Sequence, residues 1–352
     1  MGIKMGKSKE NVRNSSLELL RIICMLLIIA HHYSVHGGYE ELTSASLPGG
    51  GIFIQILSMY GKLSCTIFIL ISAYFLVDTP KIRYKKIIPL VAEMFFYSIA
   101  IMIIMYSLKL VPINMENTLA SLLPIIFGNW FVVYYILLYL LLPYINPWLQ
   151  SMDKQQYTRF LITLLIIWSV VPTFTRWEWG FSKLGFMVIS YIIGGYIKLH
   201  IKDKVSYANK WNLLIGLLSA FLMIASVFCF DAAGYILKID LLVRRADYFM
   251  EYNSILALSC AVFIFMYFSN IQLKNKWINV IAGSVLGIYL IHDNDLMRPY
   301  LWGTISPNKN YYDFPYLHAV LKIAAVFVVC LIIDLIREKT IGRLFQKWLE
   351  KV

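Results

Sequence analysis

Charge is what this sequence is short of. Only 15% of its 352 residues are Asp, Glu, Lys or Arg, against about 25% in an ordinary soluble domain. Beside a hydrophobic content of 59%, that scarcity excludes a soluble globule, because a chain of this length still exposes roughly a quarter of its unfolded surface to water. It equally excludes a disordered chain, which combines low hydrophobicity with high net charge. Cysteine is sparse as well. Cys24, Cys65, Cys229, Cys260 and Cys330 all lie in apolar runs, without the spacing of a disulfide framework or a metal or redox site. No repeat of 20–50 residues stands out, nor two halves with matching interrupted helices. Acidic residues number 20 against 32 basic ones, a formal net charge of +12. In a soluble protein that excess points to nucleic acid. In a membrane protein it first asks which side the bases occupy.

What is present is a series of apolar runs of about 17–25 residues, the length needed to cross a bilayer as a helix. Ten are expected, at 17–36, 61–77, 87–108, 129–148, 159–174, 184–199, 211–230, 252–270, 278–292 and 318–336. The run 119–128 is too short to span and reads as an interfacial or re-entrant lead-in to the fourth. The fold class expected is therefore an all-α polytopic membrane protein, a single domain over residues 1–352. Residues 1–14 and 338–352 form tails, with no appended soluble domain. An even number of spans puts both termini on one side. Loops on that side carry 21 Lys and Arg residues and the opposite loops 8, which places both termini in the cytoplasm. The first apolar run has no small-residue cleavage site and contains Glu18 and Arg21, so it reads as a retained helix rather than a signal peptide.

A charged side chain at the bilayer centre costs about 2.5–3.5 kcal/mol even on the lenient insertion scale. The first helix nevertheless holds Glu18, Arg21, His31, His32 and His36. Eleven residues separate Arg21 from His32, which is roughly three turns with 20° left over and about 16 Å of rise. The two point the same way from opposite ends of one helix, with Glu18 a turn from Arg21 and able to pair with it. His31 is rotated away, and His36 reads as loop surface. Elsewhere bland accounts are favoured. Lys62 anchors a span end, Glu93 pairs with Lys86 or Arg83, Asp334 pairs with Arg337, and Lys322 snorkels outward.

These residues bring a family into view. The sequence resembles the acyltransferase 3 family of bacterial integral membrane O-acyltransferases from about residue 15 to 336. Ser16-Leu17-Glu18-Leu19-Leu20-Arg21 followed by His31-His32 is similar to the family's arginine-to-histidine spacing. Gly61 to Leu76 resembles its second-helix block, with Ala73 where Gly is usual. Arg83-Tyr84-Lys85-Lys86-Ile87-Ile88-Pro89 resembles its basic pair ahead of a proline, with Lys86 in place of Arg. Trp130, Tyr139 and Pro143 keep the spacing of its fourth helix, although Tyr135 and Ile136 stand where many members carry glutamates. Gly287 to Asn294, with Arg298, resembles the ninth-helix block of the subgroup acting on cell-surface polysaccharide.

The resemblance implies transfer of an acyl group, usually acetyl, from cytoplasmic acyl-CoA to a hydroxyl of a surface or lipid-linked glycan, by a multi-pass protein of the bacterial cytoplasmic membrane. Acetyl-CoA is then the donor, with no metal and no nucleic acid involved. Coenzyme A is a polyanion, and Arg83, Lys85, Lys86 and Arg21 supply basic contacts at a cytoplasmic mouth. A hydroxyl acceptor needs a base near neutrality, the role expected of His32, and His32 and Arg21 on their shared stripe are the expected catalytic residues. Tyr139 or Trp130 is available as oxyanion donor. His292, Asn294, Arg298 and Trp302 near the outer end of the ninth helix are placed to contact a sugar. Lacking a Ser-His-Asp arrangement or nucleophile elbow, the chain fits direct transfer better than an acyl-enzyme. The competing reading is a transporter or flippase for a lipid-linked sugar or another polar solute, which also needs several spans and a polar path but tends to show repeats.

Overall fold

A computed structural model describes residues 14–38, 42–47, 49–79, 84–177, 181–201, 209–309 and 315–345. Among them, nine helices are long and apolar enough to cross a membrane: Ser15–His36, Gly49–Leu76, Ile87–Ser107, Trp130–Gln150, Lys154–Thr175, Lys183–Ile201, Asn209–Leu237, Asp240–Ser269 and Pro315–Phe345. Lys276–His292 is a tenth, shorter apolar helix. No strand occurs among the described residues. The protein is an all-α polytopic membrane protein, and its helix positions follow the apolar runs because unpaired backbone groups are too costly in lipid for any other open structure.

Two expected spans are built differently from a single rod. The run expected at 61–77 is preceded by a second apolar helix, so the element comprises α2 (Gly49–Ser58) and α3 (Tyr60–Leu76) joined at Met59. The run expected at 278–292 is broken at Ser284 into α14 (Lys276–Gly283) and α15 (Val285–His292). The lead-in at 119–128 falls on two short helices, α5 (Met115–Leu122) and α6 (Pro124–Phe127).

Local sequence sets several boundaries. The Asn14 side chain accepts from the Ser16 amide at 3.1 Å and starts α1 (Ser15–His36), satisfying a donor that the first turn would leave orphaned. Asp153 and Gln156 form a reciprocal capping box at the head of α8 (Lys154–Leu165), which continues into α9 (Val171–Thr175). Ser182 caps α10 (Lys183–Tyr196), and the Asn275 side chain accepts from Trp277 and Ile278 to start α14. Between these lie α4 (Ile87–Ser107), α7 (Trp130–Gln150), α11 (Asn209–Leu237), α12 (Asp240–Arg244), α13 (Ile255–Ser269), α16 (Met297–Tyr300) and α17 (Pro315–Arg337).

The central element is α1, which packs against α2, α3, α13, α14, α15 and α17. One buried cluster gathers α3, α7, α10 and α13 on one side of it, and a second gathers α4, α15 and α17 on the other. With lipid outside, helix association rests on close packing and interhelical hydrogen bonds rather than on release of water. Both are visible. Gly287 on α15 lies so close to α17 that a Cβ there would overlap the Asp334 carboxyl. The Asn146 amide donates to the Leu76 carbonyl at 2.8 Å, while its oxygen accepts from the Tyr191 hydroxyl at 2.8 Å.

Loop contacts sort the bundle into two ends. Ser15 meets Leu273 and Asn275, and Gln150 meets Val77, at what we call the near end. Gly37 meets Asn308, Ser44 meets Asp240, and Arg176 meets Tyr248 at the far end. Near-end charges find partners across the bundle. Arg337 binds Asp334 at 2.7 Å, as its spacing suggests, and also Glu93 at 3.0 Å. Glu93 thus pairs with α17 and, among the described residues, not with the Lys86 expected from sequence proximity, while Arg83, the other expected partner, lies outside the described residues.

Candidate functional site

The polar residues of α1 open into two cavities. At the near end, Arg21 is half-buried, donates to Glu18 at 3.3 Å, and lines a cavity of about 160 Å³ whose other walls are mainly apolar and aromatic. Lys85 and Lys86 are exposed on the single turn before α4 and do not line it. Arg83 lies outside the described residues.

At the far end a cavity of about 440 Å³ is lined by His31, His32, His36, Ser58, Lys62, Trp130, Asp247, Asp293 and Arg298, among others. That volume lies within the range of small-molecule sites. His32 on its wall is backed by a second, buried histidine, His292. His32 Nδ1 lies 3.0 Å from His292 Nε2, and His292 Nδ1 lies 2.6 Å from the Ile288 carbonyl. A carbonyl only accepts, so His292 carries its proton on Nδ1 and its Nε2 is an acceptor. His32 must then donate from Nδ1, which leaves its Nε2 lone pair unprotonated. No hydrogen bond engages that Nε2 among the described residues. Asp293, buried, holds Oδ1 3.7 Å from His32 Nδ1.

Asp293 is itself fixed on both oxygens. Arg298 donates to Oδ1 at 3.1 Å and the Asn129 amide to Oδ2 at 3.0 Å. Arg298 also binds Asp295 at 2.7 Å. Partial burial raises the Asp295 carboxyl above its ordinary range, with Arg298 opposing the shift. Two further contacts shape the wall. His31 Nδ1 lies 2.6 Å from the Ser58 carbonyl, and its ring occupies space that a Cβ at Gly61 would enter at 2.5 Å. The Lys62 ammonium binds Glu251 at 2.6 Å. Trp130 lies beneath the Lys183 ammonium, 4.8 Å from the ring centroid.

His32, His36 and Asp293 bring one ligand atom each within 4.8 Å of one another, close enough for a metal ion. The Asp293 oxygens and His32 Nδ1 already have protein partners. Asp293 accepts from Arg298 and Asn129, His32 Nδ1 faces His292, and the Arg298 guanidinium stands where a second cation would be repelled.

Of the other residues expected from sequence, Trp130 and Arg298 line the far cavity. His292 is fully buried behind His32 and lines no part of it. Asn294 caps the following turn, accepting from Leu296 and Met297, and borders a separate cavity of about 40 Å³. Trp302 is buried beside Tyr33. Tyr139 sits in the packed core, nine residues along α7 from Trp130 and so roughly 13 Å nearer the near end. Sequence reasoning gave His31 and Lys62 no site role, placed Asp293 only within the ninth-helix block, and passed over Asn129. Asp293 had a signal, an acid directly after His292 and five residues before Arg298. For Asn129 and His31 the partners are remote in sequence and no local pattern marks them.

No curated protein and no solved structure matches the chain. The family model for the acyltransferase domain of the acyltransferase 3 family does, over residues 14–335, a span running from the cap of α1 through Asp334. It takes in the near cavity at Arg21 as well as the histidine pair and the Asp293–Arg298 anchor at the far end. The chain belongs to the acyltransferase 3 family and is a multi-pass membrane acyltransferase.

Proposed function

We propose that the protein moves an acyl group, acetyl in the first instance, from cytoplasmic acyl-CoA to a hydroxyl of a surface or lipid-linked glycan in the bacterial cell membrane. The near end faces the cytoplasm in this reading, in keeping with the excess of basic residues on its loops. Arg21 is the cationic side chain at the near cavity, suited to a phosphate or another acyl-CoA oxygen. Lys85 and Lys86, exposed on the same end, and Arg83 attract the polyanionic donor.

The observation that carries the reading is the unprotonated Nε2 of His32, set by the chain from the Ile288 carbonyl through His292. The acceptor hydroxyl gives its proton to that nitrogen as its oxygen bonds to the thioester carbonyl carbon. The carbon–sulfur bond then breaks, and the departing CoA thiolate takes the proton back. Ester and free thiol are the products, and His32 is regenerated. While His32 is charged, Asp293 at 3.7 Å offsets the positive imidazolium. His292 positions the base, a part that a carboxylate fills in the Ser-His-Asp arrangement. Trp130 and Arg298 contact the acceptor, the first by ring stacking and the second by hydrogen bonding. Of the two side chains considered as oxyanion donors, only Trp130 borders the cavity where His32 lies.

The test is transfer of labelled acetyl from acetyl-CoA to membrane glycan in cells lacking the chromosomal copy and expressing wild type or His32→Ala. A positioned base contributes about 10²–10⁴-fold, so the variant should lose at least 100-fold while remaining in the membrane at wild-type level. Normal transfer by that variant sinks the catalytic assignment. Wild-type membranes that neither bind acetyl-CoA nor label glycan sink the donor and acceptor assignments together.

A further inference from the structure

The two cavities share no lining residue, yet they approach each other on four helices, with Ile28 on the near side and His31 on the far side along α1. On α3 the near cavity reaches Cys65 and the far one Lys62; on α7 they meet at Phe131 and Trp130; on α15 and its C-terminal end, at Tyr289 and Asp293. Each separation is four residues or fewer, a rise of at most about 6 Å along the helix. Rings form a wall between them. Phe68 meets Phe131 edge-on at 6.2 Å, Phe131 meets Tyr289 edge-on at 6.1 Å, and Tyr289 stacks on His32 at 6.4 Å. The contacts run from α3 through α7 and α15 to α1, between the cavity that Arg21 lines and the histidine pair.

We propose that Phe68, Phe131 and Tyr289 form an acyl-length filter that admits acetyl to His32 and holds back chains of four or more carbons. The proposal rests on the acyl-transfer reading and adds what decides the acyl group. A donor held by Arg21 reaches His32 only with its acyl end between these rings. A short acyl group needs one ring edge to shift, whereas a longer one must displace several packed rings. The rings resist because edge-on aromatic pairs hold one another in place, and Tyr289 is also buried. Close-fitting apolar sites discriminate one methylene by roughly 10- to 200-fold. Phe68 and Phe131 are only partly buried, so truncating either ring opens the wall without emptying the core.

The experiment compares transfer of radiolabel from acetyl-, propionyl-, butyryl- and hexanoyl-CoA to the glycan of membranes carrying wild type, Phe68→Ala, Phe131→Ala or Phe131→Leu. Phe75→Ala, at an exposed ring outside the wall, is the control. The quantity read is the butyryl-to-acetyl ratio within each protein, which is insensitive to expression level. Wild type should give a ratio below about 0.1, and Phe131→Ala or Phe68→Ala should raise it at least 10-fold, with Phe131→Leu between and Phe75→Ala unchanged. Efficient hexanoyl transfer by wild type overturns the filter, as does an unchanged ratio in both folded alanine variants. Loss of all transfer in folded Phe131→Leu also overturns it, since the ring would then serve catalysis itself. A wild type inactive with every donor is a different failure, that of the acyl-transfer reading.

Discussion

Replacing His292 by asparagine or by glutamine separates the two bonds its ring makes. The asparagine amide reaches the position of Nδ1 and keeps the bond to Ile288, but it leaves His32 Nδ1 without an acceptor. The glutamine amide extends to the position of Nε2 and still accepts from His32. A buried donor stripped of its acceptor costs about 1–3 kcal/mol. If that cost falls on the orientation and tautomer of the base, His292→Asn loses about 5- to 150-fold in kcat. His292→Gln should stay within about 5-fold of wild type, and neither change should move the KM for acetyl-CoA, because His292 does not line the near cavity. The assay is initial-rate transfer of labelled acetyl at saturating acetyl-CoA, with thermal stability in detergent measured on the same preparations. Equal kcat for the two variants, with both folded, would refute the relay. A fall in stability without any kcat difference between them would show that His292 only packs.

Other outcomes follow from the same geometry. Arg21→Gln removes the cation at the near cavity and should raise the KM for acetyl-CoA about 10-fold or more, the worth of a charged hydrogen bond, with little change in kcat; an unchanged KM would count against a donor contact there. Arg337→Met removes the cation that pairs with Glu93 and fully buried Asp334, leaving Asp334 only the Tyr97 hydroxyl, and should destabilise the protein by about 3–5 kcal/mol, read as a lowered Tm in detergent, whereas an unaltered Tm would mean water or lipid already satisfies these acids. Gly287→Ala forces a methyl group against Asp334 and should cost about 1–3 kcal/mol while displacing the helix that carries His292, so Tm and transfer rate should fall together. Tags at both termini should be accessible only from the cytoplasm; an accessible outer terminus would reverse the direction assigned to acyl delivery.

Much of the architecture was legible in the linear pattern, because a bilayer leaves a chain few options. Apolar runs long enough to span became helices, and the angular arithmetic of α1 aligned Arg21 and His32 along one stripe. The breaks at Met59 and Ser284 were not read from the sequence, although Ser58 and Gly61-Lys62 flank the first and Gly283 precedes the second. Nor was the destination of Glu93, where a nearby lysine looked as good a partner as a distant arginine. Tyr139 shows the limit of spacing from the other side. It shares a helix with Trp130, but the rise along that helix carries it away from the histidine pair and into the core.

By itself, then, the sequence determined that this protein spans a membrane as helices, and that one helix carries an arginine and a histidine a bilayer leaflet apart. These are local properties, set by composition, by periodicity and by the cost of unpaired charge in lipid. Tertiary structure alone decided that His32 meets His292, 260 residues away, that Asp293 is pinned between Arg298 and Asn129, and that a wall of rings divides the two cavities. Such pairings depend on which faces of separate helices come into contact, and in lipid that choice is made by packing and interhelical hydrogen bonds, neither of which has a period in the chain.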